Sequence, residues 1–388
     1  MLTARQVRLW YRVHKWTSLI CTAVLLMSCI TGLPLIFGDE IFQLTDTHVH
    51  AANLPASSSS ASIDQMVSEG RKLYPKQKVL SVGWDDDEPR VFVTLAPDFQ
   101  PTTRERHPLI FDAHTGKLLE EQKFTRGFMY VMTVLHIQLF AELPGELFLG
   151  LMALLFCVAL ISGALVYGPF MRSLNFGTVR KTASRRLKWF DLHNLIGIVT
   201  LTWALAVGAT GAMNTLSAPL FAAWRAQSIP SLLAPYRGKP LPSSLGSVDD
   251  AVRKARLVLP NSQITSVVFP NEIYGSPRHY LIWTRGKTPV TSQLFTPILV
   301  DVQTGAVATA QGLPWYLRVL EMSRPFHFGN YGGLPLKIIW AIFDLMLISV
   351  LLSGVYLWLS RRKTPAEDEL DRLVKLEELA AEVPTAGC

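Results

Sequence analysis

Four long apolar runs constrain this chain more than any other feature: Thr17–Phe37, Leu147–Met171, Leu195–Phe221 and Ile338–Ser360. Each matches or exceeds the roughly 20 residues that carry a helix across a bilayer core. Inside hydrocarbon only helices or closed barrels satisfy every backbone N–H and C=O. The first three runs contain no charged residue and the fourth contains only Asp344. The expectation is a membrane α-helical protein with four transmembrane helices. A composition that is 49% hydrophobic and 17% charged, with 10 Trp in 388 residues, agrees with it. The first run follows a basic start, yet it is longer than a signal-peptide apolar core and no small-x-small cleavage site follows, so it reads as a retained anchor.

Basic residues set the expected orientation. Arg5, Arg8, Arg12 and Lys15 precede the first run, six basic and no acidic residues lie between Arg172 and Lys188, and Arg361-Arg362-Lys363 closes the last run. The positive-inside bias then places both termini and the central loop in the cytoplasm. The net charge of +7 is largely this membrane-facing excess, so membrane lipid is the implied partner and no nucleic acid is needed. The expected order is a cytoplasmic N-terminus and first span (1–39), an outer segment (40–135), an interfacial piece and second span (136–171), a basic cytoplasmic loop (172–190), a third span (191–221), a second outer segment (222–325), an interfacial piece and fourth span (326–360), and a cytoplasmic tail (361–388).

Both outer segments read as small α+β units. In the first, Ser62-Ile63-Asp64 opens an amphipathic run to Tyr74, followed by strand-like Lys78–Trp84, Arg90–Leu95 and Leu109–Leu119. In the second, Ser247-Val248-Asp249 opens a run to Leu259, followed by Gln263–Phe269, His279–Thr284 and Ile298–Val307. The closing turns match, Asp112-Ala113-His114-Thr115-Gly116 against Asp301-Val302-Gln303-Thr304-Gly305. The chain is thus expected to be an internal duplication of helix, outer unit and helix. Ala51–Ser60 reads as a flexible linker.

Four histidines follow the same repeat. His14 precedes Thr31-Gly32, and His193 precedes Thr210-Gly211, with a step of 18 residues to each glycine. His136 precedes Ser162-Gly163, and His327 precedes Ser353-Gly354, with a step of 27. An imidazole placed twice at one depth beside a membrane helix points to a metal or haem site, and two matched pairs point to two such sites. The glycines allow close approach of a porphyrin or of another helix.

His14-Lys15-Trp16 at the head of the first run, the Asp-x-x-Thr-Gly turns and the paired Ser-Gly helices resemble the PepSY-associated transmembrane family over nearly the whole chain. Within it the plan resembles inner-membrane ferrisiderophore reductases of Gram-negative bacteria, of the ferrioxamine reductase type. The resemblance implies two extracytoplasmic PepSY-like domains, a multi-pass protein of the bacterial inner membrane, two b-type haems, and electrons passed outward to reduce a ferric siderophore so that Fe(II) is released.

The residues themselves are consistent with noncovalent haem. There is no Cys-x-x-Cys-His, and Cys21, Cys29 and Cys157 within spans with Cys388 at the end supply neither a disulfide framework nor a zinc knuckle. Two imidazoles per iron remain. Ligands to one iron must share a depth, which pairs His14 with His193 near the cytoplasmic face and His136 with His327 near the outer face. Straight helix over 27 residues would run to about 40 Å, so breaks are expected at Pro144-Gly145 and Gly332-Gly333-Leu334-Pro335, with His136 on a short interfacial element, Phe128–Phe140. Met27, Met213 and Met346 read as apolar filling.

The other five histidines, His48, His50, His107, His114 and His279, lack repeat partners and are expected to be exposed, His48-x-His50 being a weak metal candidate. Asp344 is a candidate for a proton or polar role, or for plain burial against Thr or Trp. Arg104, Arg106, Arg225, Arg237, Arg278, Arg285, Lys287 and Arg324 either attract an anionic chelate or are solvated surface. No nucleotide-binding motif is present, so the electron donor is expected to be a separate flavoprotein or a quinol. A second reading, a non-redox siderophore transporter or accessory protein with structural histidines, stays open.

Overall fold

The computed structural model describes residues 3–45, 49–55, 59–86, 88–102, 105–122, 127–171, 175–180, 184–236, 238, 240–288, 291–360, 372, 375 and 376. The basic positions Arg172, Lys181 and Arg361–Lys363, most of the C-terminal tail, His48, Arg104, Arg237 and Cys388 lie outside them. Two compact units form, one from 1–38, 131–216 and 323–388, the other from 39–130 and 217–322.

The first unit is a helical bundle. Among the described residues, four helices are long and apolar enough to cross a membrane: α1 (Ala4–Ile36), α5 (Glu142–Met171), α6 (Arg185–Thr215) and α10 (Gly333–Leu359). α1 packs on α5, α5 on α6, α6 on α10, and α10 on α1. Cys21, Cys29, Met152, Phe156, Ala204, Leu347 and Leu351 fill the centre. The helices start earlier than the apolar runs because polar caps sit outside them. Thr3 and Gln6 form a reciprocal capping box at α1, and Ser184 accepts from the Leu187 N–H at α6.

The third span ends sooner than expected. α6 stops at Thr215 and a separate helix, α7 (Ser217–Leu233), begins after Leu216. The apolar run continues to Phe221, but Pro219 has no N–H for a carbonyl four residues back and its ring crowds that carbonyl, which favours a break there. Composition concealed that break.

The short elements before α5 and α10 carry the remaining histidines. α4 (Phe128–Gln138) contains His136 and α9 (Trp315–Phe328) contains His327. The first break falls slightly before the expected proline: Leu139, Phe140 and Glu142 adopt positive φ, and Pro144 sits in the first turn of α5. The second falls where expected, with Gly329 and Gly333 at positive φ around a 3-10 turn at Asn330–Gly332.

The second unit brings together the two α+β segments read from the sequence. Its strands join in one antiparallel sheet, ordered β4-β3-β2-β1-β5-β6-β7-β8: β1 (Lys78–Trp84), β2 (Arg90–Ala96), β3 (His107–Asp112), β4 (Leu118–Glu121), β5 (Ser262–Val268), β6 (His279–Gly286), β7 (Phe295–Asp301) and β8 (Val307–Thr309). The two halves meet where β1 pairs with β5, Ser81 opposite Val268 and Gly83 opposite Ser266. Equivalent bulges interrupt β1 at Val79/Ser81 and β5 at Ile264/Ser266. One amphipathic helix from each half, α3 (Ile63–Leu73) and α8 (Val248–Val258), covers a face of the sheet. Met66, Val67, Ala251 and Val252 pack there with Val82, Val93, Val267 and Ile282. A helix of eight residues, α2 (Gly38–Thr45), completes the set.

α3 and α8 start against one another and exchange caps. Asp249 accepts hydrogen bonds from the Ser62 hydroxyl (2.7 Å) and from the N–H groups of Ile63 and Asp64 (3.0 Å each). Asp64 accepts from the Ser247 hydroxyl and from the N–H groups of Val248 (2.8 Å) and Asp249 (3.4 Å). Each helix thus neutralises the orphan donors of the other. Burial alone would raise Asp249, but hydrogen bonds from the Asp64 N–H, the Ser62 hydroxyl and the Ile63 N–H outweigh it and hold its carboxyl below the ordinary value.

Removing this carboxylate leaves three donors without their partner, so Asp249→Ala should destabilise the unit by about 1–3 kcal/mol. Folded Asp249 releases its proton more readily than an unfolded aspartate does. Its contribution is therefore complete above the unfolded value of about 3.9 and fades as pH falls below it. Thermal unfolding of the full chain in detergent, followed between pH 3 and pH 7, should show the wild-type advantage over Asp249→Ala shrink on the acid side; an advantage that grows as pH falls would refute the assignment.

Candidate functional site

The four repeat histidines lie in the helical bundle and come together in two pairs. The rings of His14 and His193 have centroids 6.4 Å apart, and those of His136 and His327 are 6.2 Å apart. These are the pairs that the depth argument gives.

Each ring is held in the same way, by a helix other than its own. His14 Nδ1 lies 2.8 Å from the Ala159 carbonyl, His136 Nδ1 2.9 Å from Ser28, His193 Nδ1 3.1 Å from Val350, and His327 Nδ1 3.0 Å from Val207. Four residues after each of these carbonyls stands a repeat glycine. A Cβ built on Gly163 would come within 2.9 Å of His14 Cε1, one on Gly32 within 2.9 Å of His136 Cε1, and one on Gly211 within 3.0 Å of His327 Cε1. At Gly354 the distance to His193 Cε1 is 3.4 Å. The missing side chain is the seat of the imidazole. In sequence His14 is spaced from Gly32 and His136 from Gly163; in space they exchange, His14 resting on Gly163 and His136 on Gly32.

A carbonyl only accepts, so each Nδ1 carries the proton. Nε2 is then the unprotonated nitrogen, available to a metal, and the Nδ1–H bond fixes its direction and raises its basicity. Ser353 Oγ lies 2.9 Å from His193 Nδ1, and Thr31 Oγ1 lies 3.1 Å from His136 Nδ1. The hydroxyls that precede these glycines therefore reinforce the same nitrogen. The pair spacing suits an iron as well. With metal–nitrogen bonds of about 2.0 Å on either side and a ring radius of about 1.2 Å, two opposed imidazoles stand roughly 6.4 Å apart. No group of three or more His, Cys, Asp or Glu with metal-binding geometry occurs among the described residues.

Both rings of the first pair line a cavity of about 440 Å³, in the range of small-molecule and cofactor pockets. His14, His193, Gly163 and Gly354 border it, with Phe156, Leu160, Ile198, Leu201 and Leu347 on its walls.

Asp344 joins neither pair. It is buried on α10, where the Cys29 thiol stands beside it, and its Oδ2 has no hydrogen-bond partner among the described residues. Its side-chain hydrogen bond is with that thiol. Cys29 follows Ser28, the residue whose carbonyl holds His136.

A second buried carboxylate escaped the sequence reading because it lies before the apolar run. Asp191, fully buried two residues before His193, accepts from the Arg180 guanidinium at 2.6 and 3.0 Å and from the Arg180 N–H at 3.0 Å. A lone acid beside a loop of six basic residues was the available signal.

The remaining histidines have local roles. His50 pairs with Glu88 at 2.9 Å, His107 with Glu121 at 2.7 Å, and His114 Nδ1 lies 3.3 Å from the Ser59 carbonyl. His279 is buried, not exposed as expected, and shares a 2.7 Å hydrogen bond with Ser276. Burial pushes it below the usual histidine value, with the nearby Asp301 acting in the opposite direction. Three of the arginines have partners: Arg225 lies over Tyr274, Arg278 donates to the Pro240 carbonyl and Arg285 pairs with Asp86.

The PepSY-associated TM region matches residues 11–361 of this chain. The chain belongs to that family. The chain is also similar, at 29% identity over 269 residues, to a relative described as an uncharacterized protein of Pseudomonas aeruginosa. The match covers 63% of this chain and 66% of the relative, just under two thirds of its length. All four ring-bearing histidines and their glycines fall within the PepSY-associated region.

The seats differ in tightness, which gives a directional test. Gly163→Ala places a methyl 2.9 Å from a ring that is held by its own hydrogen bond, whereas at Gly354 the contact is ordinary. Gly163→Ala should cost about 1–3 kcal/mol as overpacking, while Gly354→Ala should be neutral or gain up to about 1 kcal/mol in helix propensity. Melting temperatures of the two variants in detergent should therefore move apart, and equal shifts would contradict the seating.

Proposed function

We propose that this chain is a dihaem transmembrane oxidoreductase of the inner membrane that passes electrons outward to a ferric siderophore, from which the weaker Fe(II) complex releases its metal. The observation that carries the reading is the fourfold imidazole seat, with each Nδ1 bound to a carbonyl, each ring on a glycine, and two pairs whose spacing suits one iron apiece. Two imidazoles without a third protein donor among the described residues would suit a metal that comes with donors of its own. His14 with His193 and His136 with His327 would hold two b-type haems, each supplying reversible one-electron chemistry. The protein's part is to fix the ligand tautomers, keep water away with apolar walls and tune the potentials.

The repeated seats and the exchanged caps of α3 and α8 also support an internal duplication. In the proposed topology the basic N-terminus and central loop face the cytoplasm, and 39–130 with 217–322 lie outside as PepSY-like halves of one sheet. Electrons from a flavoprotein or quinol would enter at His14/His193 and leave from His136/His327. The iron of the chelate is cargo, not a resident cofactor.

Protein purified from haem-replete cells should be red, with a bis-imidazole spectrum and two haems per chain; colourless protein would end this reading. His14→Ala and His193→Ala should each deplete one and the same haem, and His136→Ala and His327→Ala the other. Dithionite-reduced protein mixed with a ferric siderophore should reoxidise and deliver Fe(II) to a chelator. The double substitution His136→Ala, His327→Ala should abolish that reoxidation while the first haem stays reducible. An unchanged rate would move iron reduction away from the outer pair.

A further inference from the structure

We propose that α7 and the loop before β6 carry a recognition site for an anionic chelate built from aromatic rings, a ferric tricatecholate in class, in which Arg225 grips the ring oxygens while Tyr274, Trp224 and Trp283 receive the ring faces. The inference rests on the siderophore reading above and names the kind of chelate that the second unit recognises.

Tyr280 and Ile282 of β6 belong to the core covered by α3 and α8, so by strand alternation Trp283 stands on the opposite face of the sheet. α7 meets it there. The Phe221 and Trp224 rings lie 6.0 and 6.1 Å from the Trp283 ring, and Phe295 of β7 lies 6.5 Å from it. These four rings are only half-buried and Tyr274 is 40% exposed, so aromatic surface stays open to a ligand. Arg225 follows Phe221 by four residues, on the same face of α7. Its guanidinium lies over the Tyr274 ring, 5.6 Å from the centre. That ring is its partner: among the described residues no carboxylate pairs with Arg225, and its buried Nε has no hydrogen bond. Burial pushes it below the usual arginine value, with Tyr274 acting in the opposite direction.

A guanidinium stacked on one ring keeps its in-plane N–H groups for oxygen acceptors, and its planar fork matches two adjacent oxygens. A catecholate offers that pair of oxygens on a ring whose face stacks against Trp and Tyr. Trp, Tyr and Arg are also the residue types in which binding energy concentrates. A ferric trihydroxamate offers neither the aromatic faces nor the negative charge. Binding here is a recognition step, and no electron transfer is assigned to these residues.

The full chain in detergent is dialysed to equilibrium against the ferric complex of a synthetic tricatecholamide and, separately, against a ferric trihydroxamate. The tricatecholate should bind about tenfold or more tightly. Arg225→Gln should weaken it about tenfold and leave the trihydroxamate unchanged, while Arg225→Lys, which keeps the charge and loses the fork, should recover part of the loss. Tyr274→Leu should weaken it about threefold. The melting temperature of each variant reports whether the fold is kept, and Tyr274→Leu, at an exposed position, decides the matter if Arg225→Gln does not fold. Inorganic phosphate should not displace the chelate. Equal affinity for the two complexes, variants that weaken both alike, or displacement by phosphate overturns the proposal, the last outcome assigning Arg225 to a phosphate or a lipid headgroup. The two readings fail separately. Tricatecholate binding by a chain that takes up no haem leaves this site standing and removes the reductase, whereas a red protein that ferric siderophores reoxidise but that binds no tricatecholate removes this site alone.

Discussion

One hydrogen bond, from an imidazole N–H to the carbonyl of a neighbouring helix across a glycine, organises the bundle. It sets three things together. The acceptor four residues before the glycine fixes the ring's rotation, the absent side chain fixes how closely the ring lies against the helix, and the protonated Nδ1 leaves Nε2 unprotonated. A ring without that bond would be free to choose either tautomer. Because each bond joins different helices, α1 to α5, α4 to α1, α6 to α10 and α9 to α6, the same contacts that orient the rings also bind the bundle. Packing and site geometry cannot be altered separately at these positions.

The arrangement of glycine and histidine is economical in a membrane. Lipid tails offer no hydrophobic drive for helix association, so close approach and interhelical hydrogen bonds must supply it. Here the small residue and the polar group that meet those needs are the ones that position the imidazoles. Asp344 and Asp191 show two other treatments of a carboxylate within the bundle. Asp191 is matched by three hydrogen bonds from Arg180, whereas Asp344 has a thiol for company and one oxygen without a partner among the described residues.

Much of this was legible in the chain. The apolar runs gave the spanning helices, and Ser62 and Ser247 with their acidic followers gave the starts of α3 and α8 to the residue. Equal spacing from histidine to glycine marked the pairs. What spacing cannot encode is which helix each glycine serves, and the exchange of Gly32 and Gly163 between His136 and His14 arises only when the helices pack. The merging of two outer units into one sheet was hidden for a related reason. β1 and β5 are short bulged strands, and nothing local says that each is the other's neighbour. Asp64 and Asp249 looked like helix-start acids of their own helices, a role that their reach across to the partner helix replaces.

The central pairing of β1 with β5 also imposes an order on how the chain is made. Ser81 finds Val268 only after the residues between them, including α5 and α6, have left the ribosome. During synthesis β1–β4 therefore exist as a half-sheet with one long strand edge uncovered, and edges of that kind invite pairing with another chain. Contacts so distant in sequence form slowly. Assembly of the sheet thus waits upon passage of the third spanning helix, and the first half must survive that interval exposed.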